Sequence, residues 1–430
     1  MGALTAVRSP IPASRLRKLQ ALGVFCGFAA GAWLGGAEAP IKIISPNVSP
    51  ITISLVMVLG VFLARWSVPA LVHGTSYIRN DVGQAPQLVV WAVLAGCMWA
   101  VANTMTIYAI RNVGLSIAFP LWNSNSLLGI FWGFLLFNEL RGAGWRRWLG
   151  VWGGAAGMFA GATMLAFASS GQAAPGKAVT GVIAALGAGI LWGTMYIPYR
   201  KAYLTGMNPL SFVTFFTVGE LVTMTALALG YRGAIPLWHE LLSVRTALFW
   251  LMLGGFIWVI GDLFQQYATK YVGISRGIPL SNTNQLWGLL WGVMVFHELK
   301  GGSPRTYAEV IGGSILMALG AVAIALSSAT GQEHASWQDA AEREGQRYGI
   351  EDDYVRASME GRESSIAPSR RALLDWLLIG GTTAIFLALA AIARLPVVDI
   401  HLGWAAVLAA AMLALLATCA IALWRTTRFR

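Results

Sequence analysis

From residue 20 to residue 424 the chain keeps returning to apolar runs of about 20 residues, each long enough to cross a hydrocarbon layer as a helix. Lipid offers no hydrogen bonds, so a spanning segment must satisfy its own backbone as a helix or join a closed barrel. The alternating apolar and polar decads of a barrel are absent from the sequence. Composition separates membrane helices from buried soluble ones. Charged residues are 11% and hydrophobic residues 57%, against roughly 25% charged in a soluble chain. The reading is an all-α polytopic membrane protein. The net charge of +11 then reads as a marker of the cytoplasmic side, with no nucleic-acid partner expected.

Ten core spans are expected, over about 20–40, 51–66, 87–110, 113–138, 146–168, 179–199, 209–230, 246–269, 272–297 and 306–328. A polar stretch follows, and two more spans, about 372–393 and 402–424, close the chain. Arg8, Arg15, Arg17 and Lys18 precede a first run without a convincing cleavage site, so that run reads as a retained helix. Counting Arg65, Arg200, Lys201 and Lys270 among the loop charges gives a more than twofold excess on the N-terminal side. Both termini are therefore expected to be cytoplasmic.

A sentence is written twice. PLWNSNSLLGIFWGFLLFNELRG starts at Pro120 and PLSNTNQLWGLLWGVMVFHELKG at Pro279. They belong to a gapless match of Trp99–Gly142 onto Trp258–Gly301, identical at about two positions in five. The match pairs Asn123 with Asn282, Asn125 with Asn284 and Glu139 with Glu298. Upstream, the Ser49-Pro50 pair meets Asn208-Pro209. The chain thus divides into an N-terminal segment 1–19, a five-helix repeat 20–168, a second repeat 179–328, a polar segment 329–371 and a hairpin with basic tail 372–430. Five spans is odd, so the second repeat enters the membrane upside down. The expected architecture is a ten-span core of two inverted five-helix repeats plus a C-terminal two-helix hairpin. Inverted repeats point to alternating access, with a substrate held near the midplane.

Two five-span halves, each with a proline in its fourth span and an aromatic-x-Glu-Leu turn at that span's end, resemble the drug/metabolite transporter superfamily. GILWGTMYIPYRK from Gly189 and WGLLWGVMVFHELKG from Trp287 are most similar to its glucose/ribose porter branch. The resemblance covers about residues 20–328. It implies uptake of a sugar or similar polyol, often with a cation such as a proton or sodium ion.

The amide-rich stretches supply the candidate substrate-binding residues. Asn123, Asn125 and Ser126 lie in one fourth span; Asn282, Asn284 and Gln285 lie in its counterpart. Residues three apart share a helix face, so Asn123 with Ser126 and Asn282 with Gln285 could face one cavity. Amides donate and accept, as sugar hydroxyls do; the bland alternative is interhelical bonding worth about 0.6 kcal/mol per pair. Trp192, Tyr196 and Trp287 are the aromatics in the family-like motifs, suited to the apolar faces of a sugar ring. Pro120 and Pro279 each free a carbonyl four residues earlier, at Ser116 and Ser275, and are candidate hinges.

Ionisable residues at membrane depth are costly and mark function. Glu220, Asp262 and Glu38 break the repeat symmetry, facing Val61, Asn103 and Tyr196. They are candidate coupling residues, with Arg276 as the expected partner of an acid. The alternative is a fixed ion pair, or an acid in a wet vestibule. Glu139 and Glu298 are expected near the surface, pairing with Arg141 and Lys300. Glycines at Gly23, Gly27, Gly31 and Gly35, and at Gly153, Gly157 and Gly161, suggest close helix packing. No phosphate loop, zinc spacing or catalytic triad occurs in the sequence, so no cofactor, metal or enzyme activity is expected. Cys26, Cys97 and Cys419 fall in apolar runs and read as buried thiols. The 331–371 stretch reads as a solvated linker, with partner docking as a second reading. Same-fold export of drugs, amino acids or nucleosides, and a non-transporting sensor or scaffold, are the rival functions.

Overall fold

A computed structural model describes residues 12–37, 39–42, 48–113, 118, 121–168, 178–297, 299–327, 329–360, 371–394 and 400–429. Glu38, Pro120 and Glu298 lie outside these residues. The fold is all-α, and the protein is an integral, multi-pass membrane protein. Among the described residues, nine helices are long and apolar enough to cross a membrane.

The elements run in chain order. They begin with α1 (Ala13–Gly36), α2 (Pro50–Val72), α3 (Ser76–Gln84) and α4 (Pro86–Val113). Next come α5 (Asn125–Phe137), α6 (Trp145–Ala168), α7 (Ala178–Leu204), α8 (Pro209–Arg232) and α9 (Ala234–Ser243). They continue with α10 (Leu248–Val272), α11 (Ile274–Ser281), α12 (Asn284–Leu290) and α13 (Pro304–Leu326). The tail holds α14 (Gly331–Arg347), α15 (Asp352–Met359), α16 (Leu373–Ile392) and α17 (Leu402–Thr427).

Helix starts follow the sequence. Ser49 and Asn208 sit before Pro50 and Pro209; their side chains accept from Thr52 N at 3.3 Å and Leu210 N at 2.9 Å. A polar N-cap followed by proline is a strong start signal, because proline's missing N–H would be unpaired there anyway.

Small residues set the helix contacts. A Cβ built on Gly96 of α4 would lie 2.8 Å from Glu220 N of α8. One on Gly255 of α10 would lie 2.9 Å from Val61 N of α2. Gly96 and Gly255 are counterparts in the repeat, as are Val61 and Glu220. Helix packing follows the same exchange: α1 packs on α10 and α4 on α7, while α8 packs on α4 and α10 on α2. The α1 stripe is likewise close-packed, since a Cβ on Gly23 or Gly35 would meet Val272 Cγ1 at 2.8 Å and Trp287 Cβ at 2.7 Å. The α6 stripe is shifted from expectation. Gly153 has nothing within 4 Å, and the close approach falls to Gly154 and Gly161 against α13.

The ninth predicted span is not one helix. It is α11, a turn at Asn282–Thr283, α12 and a π-helical turn, Trp291–Val295. The turn has a physical cause. Ser281 and Thr283 hydroxyls donate to the carbonyls of Ile278 and Leu280, at 2.7 and 2.8 Å, alongside the backbone N–H groups of Asn282 and Thr283, which reach the same oxygens at 3.2 and 3.3 Å. The Asn123–Ser124 turn before α5 matches it, with Ser124 Oγ donating to Leu121 O at 2.6 Å. Asn138 and His297, counterparts at the two span ends, both take φ of 56°.

The terminal helices dock on different elements. Phe386 of α16 meets Phe249 and Phe256 of α10 at 6.2 and 5.4 Å. Met412 O of α17 accepts from Trp33 Nε1 of α1 at 3.0 Å, and the thiols of Cys26 and Cys419 lie 3.5 Å apart.

Adding one methyl at these contacts should be felt. Gly96→Ala and Gly255→Ala should each cost about 1–3 kcal/mol, while Gly153→Ala stays near neutral. Thermal unfolding of the purified protein in detergent checks this; equal melting temperatures for all three would contradict the packing.

Candidate functional site

The two broken spans meet at their polar turns. Asn282 Nδ2 donates to Ser126 Oγ across the contact of α11 and α5, and Ser126 Oγ bonds Asn125 Oδ1 at 3.3 Å. Asn123, Ser126, Pro279, Asn282 and Gln285 line one cavity with α6 and α13 side chains. It is small, about 10 Å³, with room for about one water. Gln285 Oε1 and Asn284 Oδ1 are buried with no hydrogen-bond partner among the described residues. Unsatisfied buried amides cost about 1–3 kcal/mol each.

The other candidates lie elsewhere. Trp192 stacks edge-on against Trp122 at 6.3 Å, and Tyr196 against Tyr199 at 5.8 Å. Trp287 packs its Cβ on Gly35 of α1, and the backbone of Asn284 lies against Gly31 and Gly35.

Two of the coupling candidates, Glu220 and Asp262, form a buried cluster around an arginine that sequence reading counted as a cytoplasmic charge at the end of the 51–66 span. Arg65 lies about two turns inside the end of α2 and is 0% exposed. Its Nη1 is 3.2 Å from Glu220 Oε2, and its Nη2 is 2.7 Å from Asp262 Oδ2. The guanidinium also stacks on Phe216 at 4.2 Å and Trp258 at 5.2 Å. Asp262 Oδ1 accepts from Gln266 Nε2 at 2.9 Å, and Gln266 Oε1 accepts from the Tyr203 hydroxyl. Among the described residues Glu220 Oε1 has no hydrogen-bond partner. One cation therefore faces two carboxylates. Next to Gln266, Gln265 Nε2 donates to Ser281 Oγ at 2.6 Å, so α10 connects the charge cluster to the turn at Asn282.

Arg276 does not join that cluster. It pairs instead with Glu333 of α14, at 2.7 Å from Nη1 and 2.9 Å from Nη2. Beside it, Glu139 is fully buried, contrary to its expected surface position, and pairs with Arg200 at 2.9 Å rather than with Arg141. Glu139 also accepts from Ile274 N at 3.1 Å, Ser275 N at 2.9 Å and Ser275 Oγ at 2.5 Å. A carboxylate at the start of α11 is stabilised by the free N–H groups there. This second cluster is balanced, two carboxylates against two guanidiniums. His334 beside it is pushed down to about 4 by burial and by Arg200, so its ring is neutral. Among the described residues no group of three or more His, Cys, Asp or Glu could hold a metal ion.

Arg65, Arg200, Glu333, Gln266 and Tyr203 were missed from sequence. A signal existed for Arg65: the apolar run resumes after it, through Val68 to Val72.

Fold and site together define a multi-pass membrane protein with buried polar and ionic centres between its helices. A profile described as sugar transport protein matches residues 182–347. A provisionally named sugar uptake protein of Streptococcus pyogenes serotype M1 is 39% identical over 89 residues, 20% of this chain and 30% of that protein. The chain therefore matches under a third of the length of such streptococcal relatives. A provisionally named sugar uptake protein of Listeria innocua is 23% identical over 238 residues, 54% of this chain and 77% of that protein. These matches agree with the sugar-uptake resemblance drawn from the motifs.

Removing Arg65 alone should be severe. Arg65→Ala strands two buried carboxylates and should cost about 3–5 kcal/mol. Arg65→Met with Glu220→Gln and Asp262→Asn should recover most of that. Thermal melts of both variants test the pairing; a single variant as stable as the parent would contradict it.

Proposed function

We propose that the chain is an alternating-access secondary transporter of a sugar or related polyol, built as two inverted five-helix halves. The observation that carries this reading is the meeting of two repeat-related broken helices at one polar cavity. Discontinuous spans at a repeat interface are where such carriers hold substrate. In this reading the Asn282–Ser126 bond is exchanged for bonds to substrate hydroxyls, which Asn123 and Gln285 also meet. A cavity of about 10 Å³ cannot contain a sugar, so this is a closed state. Opening must part α5 from α11 and free the amides that now lack partners. The pairing of helix contacts under the repeat supports the two halves. Asn125, Asn284, Trp192, Tyr196 and Trp287 serve as the packed surround of the site, and Pro279 as a hinge.

The Arg65 cluster supplies a proton-coupling site in this reading. One guanidinium balances one carboxylate. The second is either an unpaired buried charge, costing several kcal/mol, or holds a proton, at roughly 4 kcal/mol for an ordinary carboxyl at pH 7. Comparable costs make a site that can switch. Glu220, with one oxygen unpartnered, is the proton carrier. Asp262 passes its state along α10, through Gln265 and Ser281, to the substrate turn. In this reading both termini lie in the cytoplasm of a bacterium, with the tail-side end of the bundle inward, as the charge bias favours.

Counterflow in proteoliposomes tests the substrate. Vesicles preloaded with unlabelled sugar should show a transient overshoot of labelled sugar, and Asn282→Ala should abolish it. Failure with every sugar in a panel, alongside flux of amines or amino acids, would keep the fold and overturn the substrate. Sugar binding without any flux would favour a sensor.

Coupling needs a second readout. Glu220→Gln should retain counterflow, which needs no ion, yet lose accumulation driven by a pH gradient. Undiminished gradient-driven uptake in that variant would end the coupling assignment.

A further inference from the structure

The 331–359 segment lies outside the ten-span core, and its composition reads as a solvated linker. The structure contradicts that reading. Trp337 is 1% exposed, beneath the Arg200 guanidinium at 4.6 Å. Lys201 pairs with Glu344 at 3.2 Å, Trp91 Nε1 donates to the Tyr348 hydroxyl at 3.0 Å, and Ser358 Oγ donates to Gly206 O at 3.1 Å.

Glu333 is the centre of this docking. It stands at the third residue of α14, after the Thr330 cap, where a glutamate ordinarily turns back to its own helix start. Here its carboxylate is committed elsewhere. Both oxygens take Arg276 of α11, and Oε1 also accepts Leu140 N, at 2.8 Å, from the turn that follows α5. One tail side chain thus ties together the ends of the two broken spans whose parting transport requires. Glu139 makes a parallel tie, from the same turn to Ser275 and Arg200.

We propose that Glu333 is a gate residue, and that α14 and α15 form a bolt closing the tail-side end of the transport path. This rests on the transport reading above. Arg276 is 1% exposed, so withdrawing Glu333 from a dry gate would strand a buried cation. The bolt can leave only as water enters and solvates Arg276. Release of the tail and opening of the path are therefore one event. The bolt holds the carrier shut at this end, and each turnover that opens here must lift it.

The test uses the full-length chain in two arms. In the first, Ser126→Cys reports access to the cavity by its labelling with a membrane-impermeant maleimide applied from the tail side. Adding Glu333→Gln should raise the labelling rate about tenfold, the equivalent of roughly 1.4 kcal/mol. In the second, Lys201→Cys and Glu344→Cys are joined by a cleavable thiol cross-linker, leaving the gate side chains native. Pinning the tail should stop sugar counterflow, and cleaving the linker should restore it. Unchanged labelling in Glu333→Gln, or full flux with the tail pinned, would overturn the bolt. If no preparation moves sugar while Glu333→Gln still opens the cavity to label, the transport reading fails and the gate assignment stands.

Discussion

A single guanidinium between two carboxylates, away from water, governs how this bundle can be assembled. Arg65, Glu220 and Asp262 come from α2, α8 and α10, each at most 1% exposed. A charged residue at membrane depth costs roughly 2.5–3.5 kcal/mol even on the mildest scale. Three of them are tolerable only if the helices bring them into contact. The glycine contacts make that possible. Gly96 and Gly255 let α8 reach α4, and α2 reach α10, backbone to backbone, so that the three side chains share one centre. The aromatic faces of Phe216 and Trp258 then hold the arginine in place.

The two ionic centres differ in a way that matters for function. The centre at Glu139, Arg200, Arg276 and Glu333 is charge-balanced, bidentate and tied to backbone N–H groups; it suits a lock that is either closed or hydrated. The centre at Arg65 carries one carboxylate too many; it suits a switch. The amide-lined turns are joined to α10 through Gln265 and Ser281. In the proposed cycle a proton at the unbalanced centre alters α10, and the balanced centre decides which end opens.

Much of the fold was legible because lipid leaves few choices. Apolar runs marked the helices, but the two amide-rich spans read as continuous helices, because hydroxyl groups that bond to their own backbone look in sequence like any other polar residue in a span. The i, i+3 pairing of Asn123 with Ser126, and of Asn282 with Gln285, follows from helical spacing, and those four residues do line one cavity. The aromatics were less readable, since Trp192 and Trp287 have apolar bodies that any helix neighbour can bury. The arginines were misjudged for a definite reason. A basic residue near a span's end looks the same in sequence whether it reaches water or an acid on another helix, and the acids of Arg65 lie more than 150 positions away. Glu139 and the tail failed in the same way. A charged segment looks solvated until its partners are known, and Arg276 sits 57 positions from Glu333.

The central claim is that the Arg65 centre holds a proton that substrate transport uses. Infrared difference spectroscopy of the purified protein in lipid, at neutral pH with and without sugar, tests it most directly. The account predicts a protonated-carboxyl C=O band that shifts or vanishes when sugar binds and is missing in Glu220→Gln. A wild-type spectrum with no such band at neutral pH, in protein that still binds sugar, would contradict it.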